Sequence, residues 1–136
     1  MDMLLSGLPK HVSDEESLAR FLNSSALFKK ADGQIKPAAF MHRNEETSVF
    51  RQDTIGEESL WNIGEEIIPE GRRIHGIALI QAAGVRLAGL DVVAKEPPPK
   101  HANIVGWVAG STTINKARNK ELAILLAQGA ELKRKP

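Results

Sequence analysis

A chain of 136 residues that is 42% hydrophobic is long enough to build a core without metal or disulfide help. It has no cysteine, which excludes disulfide frameworks, thiolate zinc sites and cysteine nucleophiles, and fits a reducing, cytoplasmic setting. A formal charge of +1 and an aromatic content of 4% argue against a general nucleic-acid binder, and a mean hydropathy of -0.23 with no long apolar run argues against a membrane span.

Met1 to Gly7 lacks a basic leader and apolar core, so no signal peptide is expected. Ser13-Asp14-Glu15-Glu16 has the spacing of a capping box, and Leu18, Phe21 and Leu22 follow on one face. Together they predict a helix over about Asp14 to Asn23. Asp32-Gly33 marks a turn. Ile35–Met41 and Thr47–Arg51 read as strands joined by the polar turn His42-Arg43-Asn44-Glu45-Glu46.

Thr54 to Glu57 is a second capping box, and Leu60, Ile63 and Ile67 recur at helical spacing until Pro69-Glu70-Gly71. Between Ile74 and Lys95, strands at Ile77–Ala82 and Leu90–Lys95 are preferred to a helix over Ile77–Leu87, because β-branched residues are frequent and Gly84 and Gly89 break the run. Pro97-Pro98-Pro99 reads as a stiff extended connector. Asn103–Val108 is another strand. A last amphipathic helix is expected from Thr113 to Leu132, with Ile114, Ala117, Leu122, Leu125 and Leu126 inward, followed by a frayed tail at 133–136. The expected fold is therefore α+β, one domain over 1–136 with a mostly antiparallel sheet of four to five strands covered by about three helices.

Strong catalytic motifs are missing: no phosphate loop, dinucleotide fingerprint, metalloprotease helix or serine elbow occurs. His11, His42, His75 and His101 lack metal-ligand spacing, so no metal or other cofactor is expected.

Three places could carry chemistry. Gly110-Ser111-Thr112-Thr113, with Lys116 one turn on, could present backbone N–H groups to an anion, or Ser111 or Thr112 could simply cap the helix. His101, reached through the prolines and Lys100, is a candidate acid–base residue, with His42 or His75 as a second. On the Thr47–Arg51 strand, Ser48 shares a face with Phe50, and Arg51 is suited either to anion binding or to a structural pair with Asp53 or Glu57.

Charge is uneven. Residues 52–70 hold Asp53, Glu57, Glu58, Glu65, Glu66 and Glu70 without a base, whereas the C-terminal segment is basic. Separated acidic and basic faces, with Trp61 or Trp107 as anchors, make a non-catalytic, self-associating interaction domain the first expectation. The second is a small metal-independent enzyme or binder for a phosphate-bearing ligand, a nucleotide or RNA.

Overall fold

The computed structural model describes residues 4–52 and 56–135. Its elements in chain order are β1 (Ser17–Leu22), β2 (Thr47–Arg51), α1 (Glu57–Ile67), β3 (Gly76–Gln81), α2 (Ala82–Leu87), β4 (Asp91–Ala94), β5 (His101–Val105), α3 (Thr113–Gln128) and β6 (Glu131–Arg134). Short 3₁₀ turns lie at Ser25–Leu27 and Pro37–Phe40. The strands form one sheet in the order β4-β5-β2-β1-β3-β6, every neighbouring pair antiparallel. The class is α+β, with six strands where four to five were expected. No helix among the described residues is long and apolar enough to cross a membrane.

The first predicted helix is a strand. Ser13 and Glu16 do bond as a capping box would, Ser13 N–H donating to Glu16 Oε2 at 2.7 Å, but they close a turn rather than start a helix. Leu18, Ala19 and Leu22 are fully buried because β1 lies inside the sheet with elements packed on both faces. A strand buried on both sides loses polar–apolar alternation, and tertiary pairing overrides the local cap. Ile35 makes only an isolated bridge to Phe28, and Pro37–Phe40 turns instead of extending. Asn44 and Glu45 take positive φ (53° and 64°) between Arg43 and Glu46, whose backbone groups exchange both hydrogen bonds. That is a tight two-residue hairpin turn of the kind that suits strand twist.

α1 forms where it is predicted, but it buries Leu60, Trp61 and Gly64, while Ile63 is half-buried and Ile67 is 42% exposed. The Thr54 part of its cap lies outside the described residues, and Gly56 occupies the N-cap position without a side-chain bond. A Cβ on Gly64 would fall 2.4 Å from Ile74 Cδ1 and 2.7 Å from Phe21 Cε1, so glycine lets α1 sit directly on the sheet. β3 and β4 match the strand reading, with α2 between them. The proline segment reverses the chain instead of extending, since β4 and β5 are antiparallel neighbours and their connection must turn back.

α3 ends at Gln128, and the chain then turns back to pair β6 with β3. The expected frayed tail is thus ordered as far as Arg134, whose guanidinium donates to Lys30 O at 2.7 Å. The inward stripe of α3 is Asn119, Leu122, Ala123, Leu126 and Ala127, while Ile114 is 81% and Leu125 48% exposed.

Two unequal layers result. One sheet face packs Leu18, Leu22, Val49, Ile80, Val92 and Ile104 against α2, α3, Phe40 and Trp107. On the other, α1 covers Ala19 and Ile77 through Leu60 and Trp61. Partnered residues share a face, so the pairs Ala19↔Phe50, Phe50↔His101 and Ser48↔Asn103 put Ser48, Phe50, His101 and Asn103 on the α1 side. Phe50 and Asn103 are buried there, but α1 leaves Ser48 exposed and His101 half-exposed.

Candidate functional site

Over this uncovered part of the sheet lies an open cleft of about 980 Å³, walled by the Arg43–Glu46 turn, the end of β1 and the proline loop. That volume lies within the common range for ligand sites, roughly 300–1,000 Å³.

His101 stands in the cleft with its ring fixed. The Lys95 carbonyl can only accept, so Nδ1 carries the ring proton and donates to it at 2.8 Å. Nε2 is then the accepting nitrogen, and the Ser48 hydroxyl donates a hydrogen bond to it at 2.7 Å. The Phe50 ring meets the imidazole edgewise at 5.3 Å and closes a third side. The loop before His101 is held by Glu96, whose carboxylate accepts from Lys100 N–H and from the Ser6 N–H and hydroxyl. Burial raises the Glu96 pKa, but these hydrogen bonds outweigh it and hold the group below the usual glutamate value.

Arg20 comes from β1. Pairing of β1 with β2 covers only Leu18↔Arg51 and Ala19↔Phe50, and beyond it the strands part. The Arg20 guanidinium fills the gap, Nε donating to Ala39 O at 2.9 Å and Nη1 to Ser48 O at 3.0 Å. No carboxylate pairs with it among the described residues. Burial, and then the charge of Arg43 close by, hold its pKa below the usual arginine value. Arg43, Arg72 and Lys95 also line the cleft without an ion pair among the described residues, against one carboxylate, Glu46, which accepts from Asn103 Nδ2.

The other sequence candidates sit differently. Arg51 is on the opposite face and fully buried. It is clamped by Glu16 (Nε–Oε1 2.7 Å, Nη2–Oε2 2.9 Å) and by the carbonyls of Pro9 and His11. It is therefore a structural pair made with Glu16, not with Glu57, and takes no part in the cleft; Asp53, the other expected partner, lies outside the described residues. His42 lines the cleft, but Glu45 N–H donates to its Nδ1 at 3.0 Å, which puts the proton on Nε2. Nε2 then faces the donor Nδ2 of Asn119 at 3.2 Å, itself pinned to Val108 N–H and O, so that approach is a packing contact. With its ring 5.4 Å from that of Trp107, His42 anchors the turn to α3 instead of meeting a ligand.

Gly110, Ser111, Thr112, Thr113 and Lys116 lie outside the cleft walls. Thr112 Oγ1 accepts from Asn115 N–H at 3.2 Å, which makes it the N-cap of α3. Asn115 Nδ2 reaches back to Ala109 O. His75 is not a wall residue either. Among the described residues no group of three or more His, Asp or Glu converges as a metal site.

Arg20 was the missed residue. Its signal was a lone cation in the apolar run Leu18-Ala19-Arg20-Phe21-Leu22. Comparison of the chain with protein-family models, with curated proteins and with solved structures finds no match.

Proposed function

We propose that the protein binds a phosphate-bearing small molecule, such as a nucleotide, in the cleft beside Ser48 and His101. One observation carries this: Arg20 and Arg43 line the same cleft, and no carboxylate pairs with either among the described residues. Like charges held together repel, so an anion between them is stabilised by both, and a guanidinium fork fits phosphate oxygens bidentately. Arg72 and Lys95 extend the same field.

A self-associating interaction domain has less support. Both tryptophans are buried, at 8% and 5% exposure, and so offer little anchor surface. Lys135 of the basic end already meets Glu65 of the acidic helix within the same chain, at 3.2 Å.

The test is a thermal-shift and calorimetric titration with inorganic phosphate, pyrophosphate and adenosine monophosphate. A ligand at a hundredfold excess over its Kd stabilises by about 2.7 kcal/mol. Binding that weakens with added salt is the expected result. A flat response to all three ligands rules the cleft out as a phosphate site.

A further inference from the structure

Beside the basic cleft lies a smaller slot of about 130 Å³ between the sheet and α1, with apolar walls from Phe21, Phe50, Ile67, Ile68 and Ile74 and a polar wall residue in Asn23. Ser48 and Arg20 belong to the walls of both hollows. Ser48 therefore stands where a slot with a largely aliphatic and aromatic wall meets a cationic cleft. It is exposed on its strand, and its hydrogen-bond partner is the accepting nitrogen of an imidazole whose other nitrogen is tied to a backbone carbonyl. Hydroxyl, base and orienting group in sequence are the arrangement that activates a serine. A cation is fixed at the same residue, since Arg20 Nη1 bonds the Ser48 carbonyl while Nη2 has no hydrogen-bond partner among the described residues.

We propose that Ser48 and His101 are a nucleophile–base pair that hydrolyses esters joining a small apolar acyl group to a phosphate-bearing alcohol. This rests on the anion-binding role of the cleft. The slot, close in size to a cavity of roughly 150 Å³ that accepts benzene, takes the acyl group, and the cleft takes the phosphate.

In the first step Ser48 Oγ bonds to the ester carbonyl carbon as His101 Nε2 accepts the hydroxyl proton. The carbon–oxygen bond to the alcohol then breaks, and His101 returns the proton to the departing oxygen. In the second step water attacks the acyl-serine, giving its proton to His101. The acid leaves, and Ser48 recovers its proton from the imidazole. Arg20 Nη2 is the donor available to the carbonyl oxygen while it carries negative charge.

The experiment treats the full chain with a fluorophosphonate probe, locates the adduct by mass spectrometry and follows acyl-chain preference with 4-nitrophenyl acetate, butyrate and octanoate. Inorganic phosphate binding is titrated on the same preparation. The expected result is one adduct at Ser48, absent in Ser48→Ala, about a hundredfold or more slower in His101→Gln and unchanged in Lys116→Ala. The short esters should react faster than octanoate. Phosphate binding without a Ser48 adduct overturns the nucleophile and leaves the cleft standing. An adduct without phosphate binding overturns the substrate class together with the binding role. An adduct that forms at full rate in His101→Gln overturns the pair.

Discussion

Arg51 and Arg20 sit on neighbouring strands, yet they serve the protein in opposite ways. Arg51 is sealed under the N-terminal segment, where one carboxylate and two carbonyls take up its fork. Arg20 lies where the same two strands separate, bonded only to backbone carbonyls, with a second arginine nearby. Position in the sheet does not decide which cation is structural. The presence of a paired carboxylate does, because it cancels the charge that a ligand would need.

The largest effect expected from breaking this contrast is on the Arg51 side. Arg51→Met strands the Glu16 carboxylate and should lower the unfolding free energy by about 3–5 kcal/mol in a denaturant titration. A loss below about 1 kcal/mol would mean that the clamp is not a structural pin. On the other side, Arg20→Met should change stability by no more than about 1 kcal/mol, because water in the open cleft can replace its bonds to the two carbonyls. It should weaken phosphate binding about tenfold, ~1.4 kcal/mol, by calorimetry. Equal damage to fold and binding would erase the distinction between the two arginines.

Acid sharpens the comparison. Burial raises the Glu16 pKa, but hydrogen bonds from Arg51 and Ser13 and the charge of Arg51 outweigh it and leave the folded value below the ordinary 4.5. A depressed carboxylate contributes stability that is complete above pH 4.5 and is lost as pH falls through the folded value. Denaturant midpoints should therefore drop below about pH 4.5, and the drop should be shallower in Glu16→Gln. Identical pH slopes for the two proteins would show that the pair is not the acid-sensitive element. The smallest effect concerns the turn carrying Arg43. Glu45 holds a left-handed conformation, so Glu45→Gly should stabilise by about 0.5–1 kcal/mol in thermal melts. A lower melting temperature would mean that contacts of the Glu45 side chain outweigh the backbone strain.

Local pattern revealed elements whose cues lie within a few residues. The α1 helix, the His42–Glu46 turn, and the β2 and β3 runs all correspond to the structure. Elements whose cause is remote did not show. The Ser13–Glu16 spacing resembles a helix start, but Glu16 is positioned by Arg51, thirty-five residues on. β6 resembles the end of α3 because its reason to extend is the edge of β3. For α3, Ile114 and Leu125 looked inward by composition, while Asn119 was the inward residue, bonded to the Val108 backbone. In the site, His101 and Ser48 could be named, but only the β2–β5 register brings them together. Arg20 entered the site only once β1 was known to part from β2.

The edgewise contact of Phe50 with His101 also makes the cleft easy to watch. An aromatic ring 5.3 Å from the imidazole displaces the resonances of its carbon-bound protons by ring current. With only four histidines in the chain, that signal stands in an uncrowded part of a one-dimensional proton spectrum. Occupancy beside Ser48 can thus be followed by magnetic resonance on unlabelled protein, without a dye or an engineered reporter.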